Sequence, residues 1–364
     1  MTNKVVFLVF GMSPRIDRRI NEFIDNGYEV DVYGPGSPTS EKYYKNANYN
    51  YNILFYVDHR TSYFERLKKI SLYLDVVKKY NKIETIFYLF TLNVAVLAYF
   101  SRGLRFIYEE SDMLFDRFKN GFLRKATISI NKNIIKKSFL TVFTSNGFID
   151  FYYPQGAPNN IIVIPNKVSR LCLELPRKNN HSTDFEHLRI GFAGNIRYQT
   201  ILNVSDIVSE RFPNYEFHYY GDTSGLNESQ KEHINSQERV FIHGSYKYPY
   251  DLPEVYGNLD LIVCTYDVEG INPQYAEPNK LYEAIFYETP MIVSDNSYLS
   301  KKVEKLGIGI SVDANDKEDI YRKISSITQK NYISFVDAMK AIPKKDLVNI
   351  NDSFFEKLKA MLAK

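Results

Sequence analysis

The stretch "YAEPNKLYEAIFYETPMIVSD", residues 275–295, predicts a short helix that is followed at once by a strand. Pro278 favours a helix start because its fixed φ suits the first turn, and apolar residues recur after it at helical spacing. The run "PMIVSD" at 290–295 is typical of a buried strand. A helix that leads directly into a strand is a building unit of α/β folds, and the rest of the chain repeats this pattern.

The alternation forms two series of strands with helical segments between most of them. A polar stretch, 167–187, separates the series and predicts a linker. We therefore predict two doubly wound, Rossmann-like α/β domains at 1–168 and 188–345, and a C-terminal helix at 346–364 that packs across them. The predicted strands are "KVVFLVF", "YEVDVYG", "YNILFYVD", "TIFYLF", "LRFIYEE", "LTVFTS" and "NIIVIPN", then "LRIGFAG", "YEFHYYGD", "RVFIHGS", "LDLIVCTYD", "PMIVSD" and "GIGISVD".

Composition excludes several classes of protein. Of 364 residues, 44% are hydrophobic and 24% are charged, which is typical of a folded globular chain. Cys172 and Cys264 are the two cysteines, so we expect no disulfide framework and a reducing, cytoplasmic setting. Apolar runs such as "LNVAVLAYF" are shorter than the roughly 18 residues that a membrane-spanning helix needs. The N-terminal residues predict a first strand rather than a signal peptide.

Charge is divided unequally along the chain. Residues 1–170 carry 24 Lys and Arg against 15 Asp and Glu, whereas the remainder carries 22 against 28. The basic residues concentrate in "FERLKKISLYLDVVKKY" (64–80) and "FLRKATISINKNIIKKSFL" (122–140), which also carry apolar residues at helical spacing. These segments predict either peripheral contact with an anionic membrane or solvated faces of core helices. Since no recognition motif accompanies the charge, we expect no nucleic acid partner.

Ligands of doubly wound sheets bind beyond the carboxyl ends of the strands, so the loops after strands are candidate sites. The first loop, "GMSPRIDRRINEFIDNG" (11–27), begins with Gly11 and predicts a helix capped by Ser13. Arg15 and Arg18 stand in or near its first turn, where a cation opposes the helix dipole unless an anion lies close. The loop predicts a nearby phosphate or carboxylate, with solvated arginines as the alternative. It lacks the Gly-x-Gly-x-x-Gly pattern of dinucleotide sites.

A second candidate is "YEESDM" (108–113), which places three carboxylates at the end of a predicted strand. Mutual repulsion among Glu109, Glu110 and Asp112 predicts a raised pKa for one of them, as a general base requires. Glu110 and Asp112 are therefore the candidate catalytic residues. A helix N-cap region is the alternative.

A third candidate is "GFAGNIRYQT" (191–200), where the second series begins. Gly194 allows close approach of a backbone, Asn195 follows it, and Arg197 precedes a predicted helix. A strand, a glycine-containing loop and an arginine before a helix predict a diphosphate site. Ordinary turn glycines with a surface arginine are the alternative.

The stretch quoted first supplies the fourth candidate. As a surface ion pair, Lys280 and Glu283 would stabilise the helix by roughly 0.2–0.5 kcal/mol at best, and Lys before Glu is the poorer order for the dipole. A diphosphate at the helix start explains Lys280, and a carboxylate one turn further on can accept both hydroxyls of a ribose.

These stretches resemble a known family. "PNKLYEAIFYETPMIVSD" (278–295) looks like the nucleotide-sugar motif of GT-B-fold glycosyltransferases of the group 1 or family 4 type. "SPRIDRRINEFIDNGYEVDVYG", "FTSNGFIDFYY", "VIPNKV" and "GFAGNIRY" resemble further segments of that family. The resemblance implies two Rossmann-like domains that face across a cleft, with the donor on the second and the acceptor on the first.

The resemblance also implies an activity and its residues. It implies a retaining, metal-independent hexosyltransferase of surface polysaccharide biosynthesis, with a nucleotide diphosphate-sugar as co-substrate and no other cofactor. The acceptor is a glycan or a lipid-linked glycan, and the expected place is the cytoplasm or the inner face of the membrane. The donor-binding residues are then Gly194, Asn195, Arg197, Glu277, Asn279, Lys280 and Glu283, and the acceptor or phosphate side has Gly11, Ser13, Arg15 and Arg18.

Two alternatives remain open. Many retaining members of the family have a glutamate eight positions before the ribose-binding one, but Tyr275 stands there and the nearest acid is Glu277. A sugar-nucleotide epimerase or hydrolase of the same fold would turn over a donor without an acceptor. A non-catalytic scaffold with a degenerate active site would bind a nucleotide without turnover.

Overall fold

The computed structural model divides the chain into two units, 1–164 with 351–364 and 165–350. The structure describes residues 4–45, 47–58, 61–80, 83–176 and 184–362. All thirteen predicted strands are present; eleven lie within the stretches that predict them, while β2 ends two residues later and β3 begins one residue earlier than predicted. The prediction of two α/β folds with parallel sheets is therefore confirmed.

The first unit contains a seven-stranded parallel sheet with the order β3-β2-β1-β4-β5-β6-β7. The strands β4 and β5 are buried along their whole length, because helices cover both faces of a parallel sheet. The strands are β1 (Lys4–Leu8), β2 (Glu29–Gly36), β3 (Asn50–Tyr56), β4 (Thr85–Phe90), β5 (Phe106–Glu110), β6 (Leu140–Phe143) and β7 (Ile161–Val163). The helices up to β7 are α1 (Pro14–Asp25), α2 (Pro38–Tyr44), α3 (Tyr63–Lys68), α4 (Ile70–Lys79), α5 (Leu92–Ala95), α6 (Leu97–Phe100), α7 (Gly121–Lys137) and α8 (Asn146–Tyr152).

The second unit contains a six-stranded parallel sheet with the order β10-β9-β8-β11-β12-β13. Its strands are β8 (Arg189–Ala193), β9 (Glu216–Tyr220), β10 (Val240–Gly244), β11 (Leu261–Cys264), β12 (Met291–Ser294) and β13 (Gly309–Val312). Its helices are α9 (Gln199–Arg211), α10 (Glu228–Ser236), α11 (Leu252–Gly257), α12 (Ile271–Tyr275), α13 (Asn279–Tyr287), α14 (Tyr298–Leu306), α15 (Lys317–Ser325) and α16 (Gln329–Lys340). Two apolar clusters, one on each face of the sheet, form its core.

The final helix, α17 (Asp352–Leu362), belongs to the first unit. Phe354 and Phe355 are buried in the cluster that also contains Phe23 of α1, and each ring meets Phe23 edge to face. Fully burying one phenylalanine stabilises a fold by about 1.5–3 kcal/mol. The helix that the sequence predicts across both domains thus packs in the core of the first unit, because its aromatic residues complete that core.

The predicted linker 167–187 falls inside the second unit as far as it is described; residues 177–183 lie outside the described residues. The backbone N–H of Val168 donates to Leu347 O at 3.0 Å, and that of Asn349 donates to Val168 O at 3.0 Å. These bonds join the beginning of the second unit to its end. The unit therefore starts earlier and ends later than the predicted domain 188–345.

Local sequence explains the ends of α1. Ser13 accepts from the N–H of Ile16 at 3.3 Å, Pro14 is the first helical residue, and Gly27 follows the helix with φ at +82°. None of the helices in the described ranges is long and apolar enough to cross a membrane.

Candidate functional site

The loops after β8 and β9 meet at the carboxyl edge of the second sheet. The N–H of Gly194 donates to Tyr220 O at 2.8 Å, and that of Ile196 donates to Asp222 O at 2.9 Å. Gly194 and Gly221 have φ of +139° and +141°, and a Cβ on Gly221 would overlap the carbonyl oxygen of Gly194. Glycine is required at both positions, and the resulting loop is held close to the sheet edge.

Lys280 lies in the first turn of α13, beside that loop. Its Nζ is 4.6 Å from the centre of the Phe192 ring, and a Cβ on Gly194 would stand 2.9 Å from Nζ. Among the residues that the structure describes, no carboxylate pairs with this half-buried ammonium and no acceptor takes a hydrogen bond from it. Pro278, the N-cap of α13, provides no side-chain cap either. An uncapped helix start with a lysine in its first turn favours an anion.

Glu283 lies one turn further along α13 and has 4% of its surface exposed. Tyr256 of α11 donates to its Oε2 at 2.8 Å. Burial raises the pKa of Glu283, while Lys280 and the Tyr256 hydroxyl oppose that shift. Gly194, from the third candidate segment, and Lys280 and Glu283, from the fourth, are thus brought together in the second unit.

The remaining donor-side candidates lie on the same two segments. Asn195 and Arg197 are exposed on the loop after β8, and Asn279 is exposed as the first residue of α13. The guanidinium of Arg197 donates to the Tyr198 hydroxyl at 2.8 Å and lies 4.9 Å from the centre of that ring. Arg197 therefore rests on an aromatic ring with its charge facing solvent.

Glu277 is 3% exposed, and groups of its own unit occupy its carboxylate. Tyr282 donates to Oε1, and Lys302 Nζ lies 2.8 Å from Oε2. The structure thus gives Glu277 a buried ion pair that the sequence does not predict, because Lys302 is far from it in the chain.

Three contacts of this site are absent from the sequence prediction. Phe192, which lies under the Lys280 ammonium, is part of the quoted segment "GFAG" and could have been found from its position there. Tyr256 and Lys302 carry no local signal, because each reaches its glutamate only through the tertiary fold.

The loop after β1 in the first unit has a carboxylate beside Arg15, one of the two anions that the sequence predicts there. Arg15 pairs with the fully buried carboxylate of Glu109 and donates to Ile164 O at 3.1 Å. Arg19 donates to the other carboxylate oxygen of Glu109 at 3.2 Å, and Tyr88 donates to that oxygen as well. The anion predicted beside Arg15 is therefore a side chain of the protein, which leaves a bound phosphate unnecessary there.

Three other candidates belong to the same loop. The Ser13 hydroxyl accepts the N–H of Ile16 and so acts as the helix cap. Gly11 lies in the wall of a cavity between the loops after β1 and β2. Arg18 is half-buried on α1, one position before the Arg19 that contacts Glu109.

Glu110 is buried without any exposed surface. Asn131 and Tyr152 donate to its Oε1 at 2.7 and 2.9 Å. Burial raises the pKa of Glu110 to about 8, and Asp112 contributes least to this shift. Its neighbour Glu109 has a lowered pKa because Arg15 and Arg19 outweigh its burial. The raised pKa is as predicted, but its cause is desolvation and not repulsion among carboxylates.

These placements separate the two catalytic candidates. The Glu110 side chain has no exposed surface, whereas a general base must lie within hydrogen-bond reach of its substrate. Asp112 is exposed in the loop after β5, where a substrate can reach it.

Imidazole, thiol and carboxylate side chains are the groups that could bind a metal ion. No group of three or more His, Cys, Asp or Glu that could hold a metal ion occurs within the described ranges. His218 and His243 form a hydrogen bond of 2.9 Å with each other, and His218 contacts Glu216 at 3.0 Å.

A family model matches most of the second unit. Residues 187–330 match the family model described as "Glycosyl transferases group 1", a range that contains β8, α13 and the residues around Lys280. No curated protein sequence matches the chain significantly.

Solved structures resemble nearly the whole chain. The Anabaena protein HepE in complex with UDP is 15% identical with a TM-score of 0.74, over 98% of this chain and 100% of that chain. WaaG, a glycosyltransferase involved in lipopolysaccharide biosynthesis, is 12% identical with a TM-score of 0.65, over 94% and 97%. The Neisseria meningitidis UDP-GlcNAc 2-epimerase bound to UDP-GlcNAc is 14% identical with a TM-score of 0.64, over 99% and 100%. At these identities the likeness shows the fold alone.

Proposed function

We propose that the chain, which has the GT-B fold and matches the group 1 glycosyltransferases over residues 187–330, is a glycosyltransferase. It would move a hexose from a nucleotide diphosphate-sugar to a glycan or lipid-linked acceptor in surface polysaccharide biosynthesis. The observation that carries this proposal is the Lys280 ammonium, which faces the Gly194 turn at the uncapped start of α13 with Glu283 buried one turn behind it.

In this proposal, different residues bind the diphosphate and the ribose of the donor. Lys280, Arg197 and the first N–H groups of α13 neutralise the diphosphate, both when it binds and when it leaves. The backbone at Gly194 and Asn195 approaches the phosphates, because no Cβ intervenes at Gly194. Glu283 accepts the two ribose hydroxyls, and Asn279 borders the diphosphate.

The proposal requires no metal ion and no organic cofactor, since these cations supply the charge that a leaving diphosphate needs. Asp112 is the exposed acid that remains as a candidate catalytic residue, and transfer with retention is part of the proposal. Because the substrate of such an enzyme is a cytoplasmic nucleotide sugar, we propose that the protein acts in the cytoplasm at the inner face of the membrane.

The membrane part of the proposal is supported by a surface of the first unit on α6 and α7. Phe100 and Phe122 are 70% and 79% exposed, which is unusual for large apolar side chains. The helix α7 carries five basic and no acidic residues: Arg124, Lys125, Lys132, Lys136 and Lys137. Exposed aromatic rings among lysines and arginines favour the interface of an anionic bilayer over a merely solvated helix face.

Sedimentation with vesicles tests this surface. We expect the protein to bind vesicles that contain anionic phosphatidylglycerol, to bind neutral phosphatidylcholine at least tenfold less, and to dissociate as salt is raised. Phe100→Ser with Phe122→Ser should weaken binding about tenfold, whereas Ile83→Ser, at an equally exposed position of the same unit, should not. If vesicle binding fell equally in all variants, the proposed membrane contact would be refuted.

Donor binding is tested by thermal shift with UDP, GDP, CDP, ADP and dTDP. UDP comes first because the Anabaena relative was solved with it. A nucleotide at a hundred times its Kd stabilises a protein by about 2.7 kcal/mol, which is readily measured. Lys280→Ala and Glu283→Gln should each raise the Kd at least tenfold, whereas Lys301→Ala, an exposed lysine of α14, should leave it unchanged. If Lys280→Ala bound the nucleotide as tightly as the native protein does, the assignment of Lys280 to the diphosphate would be refuted.

The epimerase or hydrolase remains the second candidate, because the Neisseria meningitidis epimerase shares the fold. Turnover distinguishes the candidates. A transferase releases nucleoside diphosphate at a rate that depends on the acceptor, whereas an epimerase or hydrolase consumes the sugar nucleotide alone. A protein that binds the nucleotide and shows neither reaction would be the non-catalytic scaffold.

A further inference from the structure

Two cavities of the first unit share the side chains of Asp58 and Arg66 in their walls. One, of about 400 Å³, lies among the loops after β1, β2 and β3 and is also bordered by Gly11 and Ser37. The other, of about 520 Å³, is bordered by Phe55 and Tyr56 of β3. Both volumes fall in the range of small-molecule sites, and the first lies at the carboxyl edge of the sheet, where doubly wound folds bind ligands.

Arg66 is a cation that shares the wall of the larger cavity with the carboxylates of Asp58 and Glu65. Its side chain is half-buried on α3, and its Nε is shielded from solvent and has no hydrogen-bond partner. Across the described part of the chain, no acidic side chain forms an ion pair with it. A guanidinium without an ion pair favours an incoming oxyanion, which it can hold through two hydrogen bonds.

The acids that border the cavities are already engaged in loop structure. Glu65 accepts the N–H of Ser62 at 2.7 Å in a capping box at the start of α3. Asp58 accepts both the N–H and the hydroxyl of Thr61 at 2.8 Å. Lys68 and Lys69 border the larger cavity and add positive charge. Three basic side chains, Arg66, Lys68 and Lys69, thus face two acids in the described wall of the larger cavity, which leaves a net positive charge for a ligand to neutralise.

Tyr56 supplies a second, independent feature of this place. Its ring is 78% exposed although it packs directly against the backbone of Gly36, where a Cβ would lie 2.8 Å from two of its carbons. The absence of a side chain at residue 36 thus leaves room for the Tyr56 ring, most of which is exposed to solvent. Such a face offers apolar contact to the C–H groups of a sugar ring.

We infer that Arg66 and Tyr56 form a subsite for an anionic sugar, in which Arg66 binds a phosphate or carboxylate and the Tyr56 ring contacts the sugar that carries it. In identifying this sugar as part of the acceptor, the inference rests on the proposed glycosyltransferase function. The subsite itself depends only on the first unit, whereas the donor site lies on the second.

Ligand-observed NMR titration of the full chain tests the subsite with glucose 1-phosphate, glucuronate, neutral glucose and inorganic phosphate. We expect both charged sugars to bind at least tenfold more tightly than glucose or phosphate alone. Stronger binding of glucose 1-phosphate would identify the anion as a phosphate, and stronger binding of glucuronate would identify it as a carboxylate. No saturable binding of either, or equal binding of glucose, would overturn the inference.

Variants assign the binding to these residues. Arg66→Gln should weaken binding of the charged sugars at least tenfold, and Arg66→Lys should weaken it less because it keeps the charge but not the paired donors. Lys78→Gln, at an exposed lysine of α4, is the matched control and should have no effect. Binding that survives Arg66→Gln would refute the subsite. UDP binding, measured in the same samples, should be unchanged in Arg66→Gln and at least tenfold weaker in Lys280→Ala, which separates failure of the subsite from failure of the donor site.

Discussion

Arg15 and Glu109 form an ion pair that joins the first turn of α1 to the end of β5, although 94 residues separate them in the chain. Arg19 contacts the same carboxylate, so one fully buried acid serves two arginines. The pairing explains why a helix start that already presents positive charge tolerates further cations.

We predict that Glu109→Gln destabilises the first unit by about 3–5 kcal/mol, because it removes the carboxylate that two largely buried guanidinium groups share, although Arg19 keeps its ion pair with Glu22. The midpoint of thermal unfolding measures this. Asp112→Asn, at an exposed acid after the same strand, should change the midpoint little. Similar midpoints for the two variants would mean that the ion pairs contribute nothing.

The same pair predicts a dependence on acid. Because Arg15 and Arg19 lower the pKa of Glu109 below its ordinary value of 4.5, its ionised form stabilises the folded state above that pH. This stabilisation should be lost as pH falls below 4.5, and the loss should be absent in Glu109→Gln.

The strands and the pair Lys280 and Glu283 could be predicted from sequence because their signals are local. Runs of β-branched and aromatic residues mark every strand, and Lys280 and Glu283 stand within one short helix. The partner of Arg15 could not be predicted, because only the parallel order of β1, β4 and β5 brings Glu109 to α1. Burial of Glu110 likewise depends on the tertiary fold. The prediction from sequence therefore attributed a raised pKa in this segment to repulsion among neighbouring carboxylates and not to burial.

Gly194→Ala should weaken binding of the nucleotide as well as stability. The φ of +139° disfavours any side chain, and the new Cβ would stand 2.9 Å from Lys280 Nζ. We expect a loss of at least about 1–2 kcal/mol in stability and a UDP Kd raised at least tenfold. Gly307→Ala is the control, because its φ is +63° but no atom lies within 4 Å of a Cβ there. It should lose stability and keep UDP affinity, and equal effects of both variants on affinity would contradict the role of the Gly194 turn.

Glu110 should make the first unit less stable as pH rises. Its pKa in the folded state is about 8 against an ordinary value of 4.5, so the folded protein holds a proton that the unfolded chain releases between these values. The unfolding midpoint should therefore fall across this range, by an amount that reflects a few kcal/mol. In Glu110→Gln the fall should be smaller, and in Glu84→Gln, at an exposed acid of the same unit, it should persist. Parallel pH profiles for all three proteins would contradict the buried, protonated carboxyl.

Phe355 should be needed for the first unit and not for the second. Its ring lies 5.1 Å from that of Phe23 and 6.3 Å from that of Tyr28, so it fills the core beside α1 although the second unit intervenes in the chain. Phe355→Ala removes this packing and should destabilise the first unit by about 3–5 kcal/mol. Lys359→Ala, at an exposed position of α17, should cost little.

Hydrogen exchange followed by mass spectrometry can locate that loss. In Phe355→Ala, protection should fall in α1, β1 and β4, which share the core of Phe355, and should persist in β8, β11 and β12. Protection lost equally in both units would mean that they unfold together, and α17 would then support the whole chain. If protection were lost in neither unit, the aromatic core of the first unit would pack without the Phe355 ring.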